Sequence, residues 1–305
     1  MSDETVPGDD APPEPEVFPA GLLDGAHVVV TGGGSGLGRS IARRCAAVGA
    51  RVSVIGRRRG RLDETVALLS DAGGTAAAAS ADLKDADAVD EALTTLEAEN
   101  GPVTHLVNNA AGNFLALTET ITPRGFDAVV GTNLYGSFHA TTACGRRWIE
   151  RDSGGTVLSI STTYAASGSA YLVPSAVSKA GIEALTRSLA VEWGRHRIRL
   201  NGIAPGPIPT RGAWKRLVPT EALQDDLKAR IPLGRFGTRD DLTHLALFLL
   251  SDLSGYITGQ IISMDGGEHL ATGGWFNEMA RRPKEELAAM FAAMRPPSRD
   301  GPAHP

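Results

Sequence analysis

Short apolar runs alternate with longer stretches of helical periodicity through most of this chain. His27-Val28-Val29-Val30-Thr31, Arg51-Val52-Ser53-Val54-Ile55 and a weaker Thr75 to Ser80 read as the first three strands. Four more follow at His105 to Asn108, Gly155 to Ile160, Ile198 to Ile203 and Gln260 to Met264. Strands separated by helical segments such as Arg39 to Val48 are the pattern of an α/β protein with a doubly wound parallel sheet. In such sheets ligands gather at the carboxyl ends of the strands, so the loops there are where chemistry is sought. Beyond the sheet, Leu287, Met290, Phe291 and Met294 recur at helical spacing within Lys284 to Met294, before a Pro-rich end beginning at Pro296. The expected organisation is a single domain over residues 20–280, with a C-terminal helix and tail over 281–305 that packs on the body or on a neighbouring subunit.

Composition changes this picture little, since 305 residues with 42% hydrophobic content and 36 glycines suit one α/β domain with a full core. Charge changes it more. The net charge of -5 arises in residues 1–19, where six acids (Asp3, Glu4, Asp9, Asp10, Glu14, Glu16) and five prolines stand without Lys or Arg. The rest of the chain carries about +1. That acidic segment is expected to be a disordered tail. No apolar stretch approaches the roughly 18 residues of a membrane span, and the N-terminus lacks the basic start and apolar run of a signal peptide. A cytoplasmic chain with no membrane partner is expected. Cys45 and Cys144 fall in apolar helical segments and read as small buried hydrophobes. The seven histidines lack metal-ligand spacing, so no metal is expected, and His105 reads as structural. A basic, aromatic-interleaved surface for nucleic acid is missing too.

The loop after the first strand reads Thr31-Gly32-Gly33-Gly34-Ser35-Gly36-Leu37-Gly38 and opens directly onto a helix. Glycines here let the backbone turn tightly and approach a pyrophosphate, whose charge is favoured at the helix N-terminus. With that loop the sheet reads as Rossmann-type. Where a NAD-binding chain usually carries an acid, this one has Gly56-Arg57-Arg58-Arg59. A guanidinium pairs with a 2'-phosphate that an acid would repel, so NADPH is the expected cofactor, with Arg57 and Arg58 as its readers. The loop, together with Asn108-Asn109-Ala110-Ala111-Gly112, Pro205-Gly206-Pro207-Ile208 and Asp265-Gly266-Gly267, resembles the short-chain dehydrogenase/reductase family over residues 26 to about 270. The resemblance implies that Asp82 bonds the adenine, that Asn109 shapes the cofactor cleft and that Pro205 to Ile208 cover the nicotinamide.

In most of that family a tyrosine four residues before a lysine does the acid chemistry, yet here Lys179 is preceded at that spacing by Ser175. A serine hydroxyl is roughly three or more pK units less acidic than a phenol, and shorter. Three readings follow: lost chemistry with cofactor binding only, a crippled carbonyl reductase, or a substitute tyrosine. Tyr164, just after the fifth strand, is the substitute at the ligand end of the sheet. Asn108 to Phe114, Tyr164 to Ser169, Val173 to Ala176, Gly212 to Leu217 and Asp265 to Glu268 further resemble the NADPH-dependent 2,4-dienoyl-CoA reductase branch. That resemblance implies that Tyr164 and Asn113 hold a thioester oxygen, that Ser175 assists, and that Lys179 binds the nicotinamide ribose and supports Tyr164. It implies substrate contacts at Arg57, Lys84, Asn113, Phe114, Thr122 and Arg216. The implied substrate is an acyl-CoA thioester of unsaturated fatty acid breakdown, and the implied assembly a homotetramer. Arg211 and Lys215 are further candidates to steer the charged coenzyme, while Thr162 and Asn133 read as supporting residues. A 3-oxoacyl reductase or alcohol dehydrogenase, and a cofactor-binding pseudoenzyme, remain the alternatives.

Overall fold

Successive residues of a strand face opposite sides of its sheet, and in this chain both sides are covered. In β1 (His27–Thr31), Val28 and Val30 join one buried cluster while Val29 joins another. The same alternation holds in β2 (Arg51–Gly56), β4 (His105–Asn108) and β5 (Gly155–Ile160), where Leu106 and Val157 face one core and Val107 and Leu158 the other. This is why the strands read as continuous apolar runs. With β3 (Ala76–Ser80), β6 (Ile198–Pro205) and β7 (Ile261–Met264) they form a seven-stranded parallel sheet of order β3-β2-β1-β4-β5-β6-β7. The computed structural model describes residues 17–210, 214, 218, 220–271 and 273–294.

Helices α1 (Gly36–Ala47) and α2 (Arg59–Asp71) cover one face, α3 (Ala86–Asn100) the other. After β4 come α4 (Pro123–Val130), a π turn (Gly131–Tyr135) and α5 (Gly136–Glu150). A one-turn α6 (Tyr164–Ser167) and the long α7 (Val173–Trp193) follow β5. Beyond β6 lie α8 (Glu221–Ala229) and α9 (Arg239–Leu250), and beyond β7 α10 (Glu268–Ala271) and α11 (Lys284–Ala293). The first core unites α1, α2 and α9 through residues such as Ile41, Leu62 and Leu247; the second unites α3, α5 and α7 through Leu93, Trp148 and Leu189.

The sequence-predicted seven strands are all present, and the differences lie at their ends. β6 runs on to Pro205, whose missing N–H costs nothing at a strand terminus, and α1 starts at Gly36, ahead of its apolar stripe. Cys45 and Cys144 are buried free thiols, and burial pushes the Cys144 thiol up to about 12. His105 is structural: Nε2 lies 3.0 Å from the Leu250 carbonyl and Nδ1 2.7 Å from the Thr104 hydroxyl. Helix α11 forms as its spacing predicts, with Phe291 and Met294 exposed. Among the described residues no helix is long and apolar enough to cross a membrane.

Strand order reverses between β1 and β4, because the chain winds outward from β1 in one direction and from β4 in the other. The crevice this leaves at the strands' carboxyl ends is the natural ligand site of such a sheet.

Candidate active site

That crevice is a cleft of about 780 Å³ lined by the loops after β1, β2, β3, β4, β5 and β6 and by the turn after β7. Its floor is the glycine-rich loop. Gly32 has φ +66°, and a Cβ there would lie 2.8 Å from the Ala110 Cα; a Cβ on Gly38 would come within 2.6 Å of the Gly32 carbonyl oxygen. Only hydrogen fits at either point, which leaves the backbone bare where a pyrophosphate would approach. Gly34, Ser35 and Leu37 line the cleft, whereas Thr31 builds it: its hydroxyl accepts from the Asn109 N–H at 3.0 Å and donates to the Val107 carbonyl at 3.1 Å. Gly36 opens α1 and Gly38 packs α1 against the loop.

Arg57 and Arg58 are exposed on the cleft wall and form no ion pair among the described residues. Arg59 is turned away, bonded to Asp63 at 2.8 Å and to the Ala78 carbonyl at 3.2 Å. Two guanidiniums without an ion-pair partner among the described residues are what a phosphate-bearing cofactor needs. Asp82 also lines the cleft, although its carboxylate is engaged by the Lys84 backbone N–H at 3.1 Å and ammonium at 3.5 Å. The cradle therefore fits a dinucleotide with an extra phosphate.

Sequence reasoning missed how the loop is held. Arg39 is buried, and its Nη2 donates to the Gly34 carbonyl at 2.6 Å and to Glu64 at 2.9 Å, while Nε donates to the Thr65 hydroxyl at 3.0 Å. Glu64 also accepts from Arg61 at 3.0 Å. The two guanidiniums, Arg39 first, hold the Glu64 carboxyl below the usual carboxylate range. Position 39 carries a charge in the middle of a helix that packs on the core, and that was the available signal.

Four candidate catalytic side chains converge. Tyr164 opens α6, the single turn that follows β5, and its hydroxyl lies 3.1 Å from the Ser175 Oγ. The Asn113 amide donates to the same phenolic oxygen at 3.4 Å. What brings Asn113 and Tyr164 together is a tie between their loops, in which the Ala116 N–H donates to the Tyr171 carbonyl at 3.2 Å. Tyr171 adopts φ +65° to present that carbonyl, a conformation costing a non-glycine residue about 1–3 kcal/mol and found mostly where function demands it. On α7, Ser175, Lys179 and Glu183 stand at one-turn intervals. The Lys179 ammonium donates to the Ile160 carbonyl at 2.5 Å, and burial pushes its pKa down to about 8. Glu183 accepts from the Ser161 hydroxyl at 2.8 Å and pairs with Arg187 at 3.0 Å.

Asn133 lies in the π turn and clamps Gly112 from both sides, accepting its N–H at 2.7 Å and donating to its carbonyl at 3.1 Å. π turns of this kind recur at functional sites, and this one fixes the backbone next to Asn113. Thr162 lines the cleft, as do Pro205, Gly206, Pro207 and Ile208. Lys84, Phe114 and Thr122 do not. Thr122 caps α4 by accepting the Gly125 N–H at 3.1 Å, Phe114 stands over Gly125, and the Lys84 stem rests on Gly131. These three are thus gathered against α4 and its π turn, outside the cleft. Arg211, Lys215 and Arg216 lie outside the described residues.

The far wall adds side chains that were not among the expected site residues. Trp214, packed edge-on against Phe236 at 4.9 Å, stands there with Val218, Leu227, Arg230, Glu268 and His269. Burial, aided by the charge of Asp265, raises the Glu268 carboxyl. Burial also opposes ionisation of Asp265, but hydrogen bonds from His269 and Gly267 outweigh it and hold that carboxyl low. The site thus offers an oxygen-binding pair of hydroxyl and amide, a buried ammonium, and an apolar wall.

A family model described as enoyl-(acyl carrier protein) reductase matches residues 32–269. The chain is 40% identical over 252 residues to a Caenorhabditis elegans protein named a probable 2,4-dienoyl-CoA reductase producing (3E)-enoyl-CoA, covering 81% of this chain and 82% of that one. A Bacillus subtilis protein named a probable 2,4-dienoyl-CoA reductase producing (2E)-enoyl-CoA is 40% identical over 244 residues, covering 80% and 96%. Among solved structures, a gluconate 5-dehydrogenase from Burkholderia cenocepacia in complex with NADP and tartrate superposes with TM-score 0.77 at 32% identity, covering 81% and 96%.

Proposed function

The chain belongs to the short-chain dehydrogenase/reductase family of oxidoreductases, and from that premise we propose that it reduces 2,4-dienoyl-CoA thioesters to enoyl-CoA with NADPH. One observation carries the reading: a phenol from α6 stands 3.1 Å from the serine that occupies the usual tyrosine position, with the Asn113 amide 3.4 Å away. A nicotinamide cofactor would rest on the glycine-rich loop, with Arg57 and Arg58 at its 2'-phosphate and Lys179 at its ribose. When bound, NADPH supplies the hydride.

A paired hydroxyl and amide is what a conjugated thioester would require. Reduction at C5 of a dienoyl thioester moves charge through the conjugated system to the thioester oxygen, several atoms away. Tyr164 and Asn113 would together hold that oxyanion as a pair of donors. Each such donor is worth about 2.7 to 4 kcal/mol in the transition state. Ser175 would orient the phenol from 3.1 Å, and the Lys179 ammonium, one turn along α7, would add positive charge to the site. Trp214, Val218 and Leu227 supply apolar surface for an acyl chain. The names carried by the two similar dienoyl-CoA reductases support the substrate class, while the likeness to an NADP-bound gluconate dehydrogenase supports the cofactor.

Spectrophotometry of NADPH oxidation tests the reading with a 2,4-dienoyl-CoA, a 3-oxoacyl-CoA and a sugar acid or simple alcohol run in reverse. Turnover is expected with the first. Faster turnover of either other substrate would overturn the assignment, and binding without any turnover would mark a pseudoenzyme.

A further inference from the structure

Beside the glycine-rich loop a third guanidinium joins those of Arg57 and Arg58. Arg61 lines the cleft with both of them and with Gly34 and Ser35. It stands in the first turn of α2, and that turn lies directly on the loop: a Cβ on Gly34 would fall 3.1 Å from the Arg61 Cβ and 3.2 Å from its carbonyl oxygen. The main chain at position 61 is fixed from two directions, because its carbonyl accepts the Thr65 hydroxyl at 3.2 Å and the Arg39 Nη2 at 3.4 Å. The side chain is held less firmly. It is 54% exposed, and its tie among the described residues is to Glu64 at 3.0 Å.

An acid at position 64 would by itself discourage an anion here, but its carboxylate already faces a second guanidinium. Arg39, only 2% exposed, donates to Glu64 at 2.9 Å. A buried arginine cannot release that carboxylate without losing its counter-charge, whereas the exposed pair of Arg61 with Glu64 contributes little and separates easily. The Arg39 charge therefore cancels that of Glu64, and the Arg61 charge stays available to a ligand. Arg59, on the same helix, offers the contrast, since its guanidinium is engaged by Asp63 at 2.8 Å and the Ala78 carbonyl at 3.2 Å. With Arg57 and Arg58 alongside, this corner of the cleft carries a surplus of positive charge. A doubly charged phosphate monoester, able to pair with several guanidiniums at once, is the group that fits it.

We propose that Arg61 is a third reader of the cofactor's 2'-phosphate, tethered by Glu64 until the phosphate arrives and free to leave it because Arg39 keeps the Glu64 charge balanced. The inference rests on the NADPH reading above. It extends the discrimination between NADPH and NADH from the loop after β2 into α2.

Calorimetric titration of the full chain with adenosine 2',5'-bisphosphate and with 5'-AMP, which differ by that phosphate alone, tests it. The wild type should bind the bisphosphate far more tightly. Arg61→Met should weaken the bisphosphate about 10-fold, the size of one charge-assisted hydrogen bond, and leave 5'-AMP binding and the urea midpoint unchanged. Arg61→Lys should recover part of the loss. Arg59→Met, which removes the same charge from the same helix, should cost much less. A loss in Arg61→Met shared by both nucleotides overturns the proposal, because it would mark a structural role, as does a loss matched by Arg59→Met, which would mark the general field of the surface. A wild type that binds the two nucleotides alike removes the NADPH reading and this proposal together, whereas a discriminating wild type with an indifferent Arg61→Met removes only the latter.

Discussion

A hydroxymethyl group at position 175 is too short and too weakly acidic to hold an oxyanion alone, and the phenol of Tyr164, 3.1 Å from it, makes up the difference. Tyr164→Phe should lower kcat for a dienoyl-CoA about 10²- to 10³-fold while leaving the Kd for NADPH near its original value; an unaffected rate would exclude the phenol as donor. Lys179 sets the pH range. Its ammonium is buried and its pKa is lowered to about 8, so activity that depends on this charge should decline as pH rises through about 8, more than two units before a free lysine would lose its proton. A pH–rate profile at saturating NADPH checks this. At the other end of the cleft, Arg57→Glu should weaken NADPH far more than NADH, because it reverses the charge that meets the 2'-phosphate. Equal losses in the two KM values would mean that Arg57 does not read that phosphate.

At the scale of elements, the cofactor loop and α2 act as one piece, since the Arg39 guanidinium spans the Gly34 carbonyl, Thr65 and Glu64. Arg39→Met would leave the buried Gly34 carbonyl without this donor, a cost of about 1–3 kcal/mol. The expected result is a lower urea midpoint and a raised KM for NADPH at little-changed kcat. These elements were unequally legible in the sequence. Strands buried on both faces announce themselves as apolar runs, and the glycine loop as a spacing between a strand and a helix. The pairing of Asn113 with Tyr164 bridges 51 residues and depends on a left-handed Tyr171, which no local pattern encodes. Thr122 shows the converse: a polar residue just before a helix has a capping role that its position alone suggests.

For the whole molecule, acid sensitivity should originate far from the cleft, at the opening ends of β1 and β4. His27 bonds the Gly101 carbonyl at 2.7 Å and the Ser53 hydroxyl at 2.8 Å, and burial lowers its pKa. Burial lowers His105 from 6.5 to about 4. Below pH 6.5 the unfolded chain takes up a proton at His105 that the folded chain refuses, so this contribution is complete above 6.5 and is lost as pH falls toward about 4. Urea unfolding should show stability dropping over that window with a slope of up to about 1.4 kcal/mol per pH unit for each such histidine. His105→Gln should flatten it. The catalytic trio is insulated from such loosening by the way α7 seats on the sheet. Its three polar stations each grip β5 or the short segment just beyond it: Lys179 the Ile160 carbonyl, Glu183 the Ser161 hydroxyl, and Ser175 the Tyr164 phenol. Serine and ammonium thus share one helix tied to the strand end at three points, so the loss of any one tie leaves two others to keep these groups in register beside the phenol.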